Sequence, residues 1–282
     1  MLRLLTATDF SENAQSAMRV ALRLARSYSA EVFFLHAMAR PPVPAISPEE
    51  VYNSIYQAEQ QELEQRLQEE CRQLYMELGL RPKEVMKHVY ILPTPVTDTI
   101  LQIISRDKID LLIMGSSGAS GVSKLLLGSN TNEMMRNTPI PLLVVPPKFA
   151  FNGFKEISVV IRLKRIGNRP GLPLVQKLAN TYSATVHALV VLDEEDEAQS
   201  SIPLKEAENL LQGLNYKIHT IRKDSKAKEL ENHLQKTKTD LVVWLPMPSG
   251  LWNDSLTESF TEEVASEAGI PLLVIPHIEQ EP

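Results

Sequence analysis

The stretch MGSSGASGVSKLLLGSNT, residues 114–131, gathers glycines and hydroxyl side chains in a pattern suited to holding an anion. Four of the chain's 11 glycines fall here, at Gly115, Gly118, Gly121 and Gly128. The spacing is Gly115-x2-Gly118-x9-Gly128-Ser129. It is neither the P-loop pattern, which puts Gly-Lys-Ser/Thr after four intervening residues, nor GxGxxG. Gly115 stands where an apolar strand, DLLIMG, ends. Gly118 would let the backbone lie against a flat or charged ligand. Gly128 precedes SNTNE, a run of cap-forming residues at the start of a helix. Free N–H groups and the dipole at such a helix end favour an anion, and the hydroxyls of Ser129 and Thr131 could add donors.

The elements that must position this loop can be read from hydrophobic periodicity. LRLLTAT is a short strand, and from Ser11 to Tyr28 the residues Ala14, Ala17, Met18, Ala21, Leu24 and Ala25 recur at helical spacing. EVFFLHAM is a second strand, followed by a proline-rich loop. A long helix then carries Val51, Ile55, Leu63, Leu67, Cys71, Leu74 and Leu78 on one stripe. EVMKHVYIL, VTDTILQIISRDK and DLLIMG predict strand, helix and strand. A helix near 129–137 leads into PLLVVP. Apolar strands alternating with helices predict a parallel α/β sheet covered on both faces. In such a sheet a ligand sits beyond the carboxyl ends of the strands, where the glycine loop lies.

The pattern occurs twice. Residues 110–147 align without a gap to 240–277, from a shared aspartate to IPLLVVP in one and IPLLVIP in the other, and LARSYSAEV (24–32) matches LANTYSATV (178–186). The chain is read as two copies of one domain, 1–147 and 154–282, joined near 147–156. The second copy has Leu245, Pro248, Leu251 and Glu258 where the first has Gly115, Gly118, Gly121 and Gly128, keeping only Ser259 and Thr261. Turning the chain therefore does not demand those glycines, and the first copy is expected to keep them for a ligand. Asp9, aligned with Leu163, supports the same asymmetry, although an acid there would also suit the start of the Ser11 helix.

Composition narrows the function classes. A net charge of −6 with scattered basic residues argues against a nucleic-acid surface. No apolar run approaches membrane-span length, and an acidic residue arrives too early for a signal peptide, so a cytoplasmic location is expected. The single cysteine, Cys71, forms no internal disulfide and reads as inert core. No histidine or cysteine group shows metal-ligand spacing, so no metal site is expected. His36 reads as a packing or surface histidine and Lys124 as a solvated lysine. RLKRIGNRPG (162–171) and DEEDEAQSS (193–201) read as solvated loops, and Met247 and Trp252 as filling the vacated second pocket.

The glycine spacing, TATDFSENAQSAM, FFLHAM and PLLVVPP together resemble the universal stress protein family, over essentially the whole chain as a tandem pair. The resemblance implies two Rossmann-like (adenine nucleotide α-hydrolase-like) domains, each with a parallel five-stranded sheet and helices on both faces. It implies ATP as ligand, with Mg2+ able to accompany the triphosphate. By position, Ala7, Thr8 and Asp9 would border adenine and ribose, and Ala37 would line the adenine pocket. Met114, Gly115 and Gly118 would approach ribose and α-phosphate, while Gly128, Ser129, Asn130 and Thr131 would hold the phosphates. Asn130 replaces a small apolar residue common there, and LPTPV stands where a glycine often follows the third strand. The family's habit of dimerising through its last strand implies antiparallel pairing of 141–146 with 271–276; a further homodimer stays open. A stress-response nucleotide-binding module is the first functional reading. The alternatives are a slow ATPase or nucleotidyl-transfer enzyme, for which no placed base, arginine clamp or metal carboxylate is evident, and a ligand-free scaffold.

Overall fold

Strands that are apolar along their whole length must be covered on both faces, and amphipathic helices between them supply the cover. The computed structural model describes residues 1–38, 49–81, 85–93, 95–116, 127–161, 169–192, 201–222, 226–246 and 269–277. The first half runs β1 (Arg3–Ala7), α1 (Glu12–Tyr28), β2 (Glu31–Met38), α2 (Glu49–Glu77), β3 (Met86–Pro93), α3 (Val96–Asp107), β4 (Leu111–Gly115), α4 (Ser129–Asn137) and β5 (Leu142–Val145). The second runs β6 (Glu156–Ile161), α5 (Leu172–Tyr182), β7 (Thr185–Leu192), α6 (Ser201–Leu210), β8 (Tyr216–Arg222), α7 (Lys226–Thr237), β9 (Leu241–Trp244) and β10 (Leu272–Val274).

The ten strands of the described residues form one sheet, in the order β3-β2-β1-β4-β5-β10-β9-β6-β7-β8. Within each half the five strands are parallel, and the two halves meet at the single antiparallel pair β5–β10. The register there is Leu272 with Val144, Leu273 with Leu143 and Val274 with Leu142. Each apolar last strand is thereby removed from the edge, where unpaired backbone groups would invite aggregation.

Other contacts reinforce this seam. Tyr28 and the residue at the matching position of the second half, Tyr182, meet edge to face with centroids 6.4 Å apart. The Tyr182 hydroxyl donates to Ser27 Oγ at 3.1 Å, and the Arg23 guanidinium donates to the Phe151 carbonyl at 2.8 Å. Phe151 and Phe154, in the segment joining the halves, are both buried. That segment is part of the core rather than a tether.

Helix α1 shows how local sequence sets an element. Ser11 caps it by accepting from the Ala14 N–H at 3.2 Å, and Ser29 closes it in the left-handed region at φ 50°. Its buried face includes Ala14, Ala17, Ala21 and Ala25, small enough to let the helix lie close on the sheet. Helix α2 departs from the expected single stripe. Leu67, Cys71 and Leu74 are buried, but Val51 and Ile55 are 44% and 42% exposed. A helix of 29 residues is roughly 43 Å long, whereas the eight-residue β3 spans about 27 Å, so the helix outruns the sheet it covers.

Candidate functional site

The strand order of the first half reverses direction between β1 and β4, and the chain ends of those strands part there. Such a switch point leaves a crevice at the carboxyl ends of a parallel sheet. A cavity of about 280 Å³ occupies it, lined by Ala7, Thr8 and Asp9 after β1, Ala37 in β2, Met114 and Gly115 in β4, and Gly128, Ser129, Asn130 and Thr131 at the start of α4. These are the residues singled out from the sequence, apart from Gly118, which lies outside the described residues, as do Gly121, Lys124, Met247 and Trp252. Ala14, His36 and Val96 also line the cavity and were not foreseen as site residues. His36 neighbours Ala37 at the same strand end, which was the available signal.

The turn after β1 is tightly organised. The Thr8 N–H donates to the Leu35 carbonyl at 2.8 Å, and Thr8 Oγ1 accepts from the Phe10 N–H at 3.0 Å. Phe10 adopts a left-handed φ of 63°, a conformation that a bulky residue keeps only where its surroundings fix it. Its ring packs against His36 with centroids 4.5 Å apart and beneath the Arg66 guanidinium at 4.0 Å. His36 Nδ1 lies 2.8 Å from the Thr8 carbonyl, so that nitrogen carries the proton and donates. His36 is thus both a packing residue and part of the cavity wall. Asp9 is exposed, and one carboxylate oxygen accepts the Ser11 N–H at 3.0 Å. It serves the helix start and borders the cavity at once.

At α4 the chemistry is that of an open helix end. Gly128 occupies the cap position and offers no side-chain acceptor. The Asn132 N–H, bonded to the Gly128 carbonyl at 2.9 Å, begins the helical ladder. The N–H groups of Ser129, Asn130 and Thr131 precede it, and a helix start leaves such donors, with its positive dipole end, available to an anion. Thr131 departs from the expectation that its hydroxyl serves as a ligand donor. Its Oγ1 donates to the Gly115 carbonyl at 2.9 Å, so its proton fastens α4 to the end of β4.

Gly115 has a structural reason of its own. A Cβ there would sit 2.9 Å from the Asn13 carbonyl oxygen and 3.0 Å from its carbon, both backbone atoms of α1. The first copy was expected to keep its glycines for a ligand; Gly115 lines the cavity and, in addition, lets α1 approach the strand end.

The second half is built differently at the corresponding place. Arg169, expected to belong to a solvated basic loop, is 5% exposed. Its guanidinium donates to the Ile275 carbonyl at 2.8 Å and to the Pro246 carbonyl, joining the ends of β10 and β9. Burial lowers its pKa to about 10. Leu245, opposite Gly115 in the repeat, is buried near Leu172 and Val175. Cys71 matches its reading as inert core: it is fully buried, and burial pushes its thiol up to about 12.

Comparison with known proteins bears on the same features. The family model described as the universal stress protein family matches residues 1–146. A universal stress protein from Thermus aquaticus is 31% identical over 144 residues, covering 50% of this chain and 96% of its own. One from Methanocaldococcus jannaschii is 25% identical over 138 residues, covering 49% of this chain and 78% of its own. Among solved structures, a universal stress protein from Archaeoglobus fulgidus superposes with a TM-score of 0.70 at 14% identity, covering 98% of both chains. A universal stress protein structure from Pseudomonas aeruginosa gives 0.60 at 16% identity, covering 97% of this chain and 92% of its own. These structural likenesses speak to the fold of the whole tandem chain, and the sequence match speaks to its first half; on that evidence the chain belongs to the universal stress protein family.

Proposed function

We propose that this protein is a stress-response regulatory module that binds one adenine nucleotide, ATP, in its first half, with the second half as a degenerate partner completing the sheet. The observation that carries this reading is the cavity at the β1/β4 switch point, closed on one side by the uncapped start of α4. At about 280 Å³ it lies just below the usual range of small-molecule sites, roughly 300–1,000 Å³, and suits the nucleoside portion. Ala7 and Ala37 offer a small-residue wall for a flat base. The exposed Ser129 and Asn130 lie where phosphates would meet backbone N–H groups and solvent. Mg2+ would arrive with the triphosphate, since Asp9 is the one carboxylate among the described lining residues. The histidine and the carboxylate among the described lining residues, His36 and Asp9, are each tied to the turn after β1, which favours binding over turnover.

Calorimetric titration of the full chain with ATP tests the reading, with about one site per chain expected. Gly128→Glu installs the residue found at the matching position of the second half. Gly128 has φ −58°, so the fold should accept a side chain there. A carboxylate a few ångströms from phosphate costs several kcal/mol at protein-surface dielectric, so affinity should fall by about 100-fold or more. A stoichiometry near two, or unchanged affinity in the variant, would reject the reading.

A further inference from the structure

The second half brings together three histidines that are far apart in sequence. His187 lies near the start of β7, His219 in the middle of β8 and His233 on α7. One ligating nitrogen from each falls within 4.8 Å of the other two. His187 Nδ1 is 3.2 Å from His219 Nε2, and the rings of His219 and His233 have centroids 4.5 Å apart. Two imidazole nitrogens on one tetrahedral cation, each bonded at about 2.0–2.1 Å, stand roughly 3.3 Å apart. On the far side of His187, Nε2 is 2.7 Å from Glu156 Oε2. That contact fixes Nε2 as a protonated nitrogen, so that in the neutral ring Nδ1 is the one with a lone pair. A carboxylate behind a ligating histidine is the arrangement that orients and strengthens metal-bound imidazoles.

The geometry points to a three-histidine site in the second half that binds a divalent transition cation of the zinc type, with His187, His219 and His233 as ligands and Glu156 holding His187.

A simpler account would make these residues a hydrogen-bonded relay from Glu156 through His187 to His219. That relay leaves His233 unexplained. Its Nε2 is buried and has no hydrogen-bond partner among the described residues, a condition that is destabilising unless something fills it. The repeat removes a second objection, that the fold needs polar groups here. By repeat alignment and strand register the matching positions of the first half are Phe33, Tyr90 and Ile103, which lie in or against the apolar core. Tyr90 borders that core and Phe33 is buried in it, with ring centroids 6.1 Å apart. The same scaffold thus accepts two apolar side chains and a tyrosine at these places, and the second half has an imidazole at each.

The donor set selects among cations. Imidazole nitrogens suit zinc, copper, nickel and iron, while magnesium and calcium prefer oxygen. Burial, followed by the neighbouring histidines and Lys236, lowers the His233 pKa to about 4. Burial, followed by His187, Lys217 and Lys236, lowers that of His219 as well. Both shifts favour the neutral form that ligates. Three protein ligands leave a fourth position for water or a solute, and half-buried His219 and His233 give a cation a way in.

The test uses the full chain stripped with a chelator and then dialysed against Zn2+. Metal analysis should find one equivalent per chain, and the thermal midpoint should rise with Zn2+ concentration. Glu156→Gln should weaken binding about 10–100-fold. The double variant His187→Phe, His219→Tyr, which installs the residues of the first half, should lose it. Nitrogen-15 NMR of the histidine rings in the unmodified protein provides a readout independent of any variant's folding. Zn2+ should move the signals of His187, His219 and His233 and leave those of His36, His88 and His277 in place. No uptake, uptake that survives in the double variant, or shifts confined to the other histidines would overturn the proposal.

Discussion

The ends of β4 and β5 in the first half, and of β9 and β10 in the second, solve one problem in two ways. In the first half the chain leaves β4 through Ser116, whose N–H donates to the Val145 carbonyl at 2.9 Å and whose carbonyl accepts the Gly128 N–H at 2.8 Å. Two backbone bonds close the loop against the sheet and bring the start of α4 to the cavity. In the second half the residue matching Ser116 is Pro246, which has no N–H to give. The carbonyls matching those of Val145 and Ser116, on Ile275 and Pro246, instead accept from the buried Arg169 guanidinium. One side chain replaces both loop bonds and lies across the strand ends. The lesson concerns what degeneracy of a repeat means physically. With Pro246 in place of Ser116 the N–H of that position is gone, and the Ile275 and Pro246 carbonyls take the Arg169 guanidinium as their donor, because buried polar groups go unpaired only at a cost.

This comparison can be broken at its strongest point with Arg169→Met, which keeps the aliphatic bulk and removes the donors. Two buried carbonyls then lose charge-assisted bonds, and urea denaturation should show a loss of about 3 kcal/mol. ATP affinity in the first half should change less than about 2-fold, because contacts this distant act nearly independently. A parallel collapse of ATP binding would mean that the two halves are coupled through β5–β10 rather than merely joined.

Gly115→Ala sharpens the other side. The new methyl would meet the Asn13 backbone at 2.9 Å, and backbone cannot swing aside as a side-chain tip can. Overpacking of this kind costs about 1–3 kcal/mol, and the displaced start of α1 should also weaken nucleotide binding. Measuring stability and ATP affinity on the same variant separates the packing role of Gly115 from direct ligand approach. Loss of affinity without loss of stability would favour approach.

The smallest effect should come from Thr131→Val, which keeps the shape and deletes the hydroxyl that donates to the Gly115 carbonyl. A loss of about 1 kcal/mol in stability is expected, with a modest fall in affinity as α4 loosens. A variant as stable as the parent but unable to bind ATP would show that the hydroxyl serves the ligand instead.

Much of this was legible in the chain itself. Helix α1 begins at Glu12 behind its Ser11 cap and α4 spans Ser129–Asn137, where the periodicity and cap residues placed them. The glycine loop and the start of α4 were legible from spacing and cap residues, and the family resemblance supplied the other cavity residues from Ala7 to Met114; strand–loop–helix order accounts for their sharing the carboxyl end of a parallel sheet. These features depend on neighbours in sequence: turn residues, caps and the alternation of apolar runs.

What the tertiary structure alone decided are the meetings between residues that sequence keeps apart. Arg169 sits in a stretch of basic residues that looks solvated, and only the arrival of two strand ends gives its guanidinium carbonyls to bind. Gly115 looks like a ligand-binding glycine until α1 is laid across it. His187, His219 and His233 show no metal-ligand spacing, and β7, β8 and α7 must stack before their nitrogens converge. The physical reason is common to all three. Local propensity acts over a few residues, whereas burial, close approach and the pairing of buried polar atoms are set by packing, which brings together positions tens of residues distant.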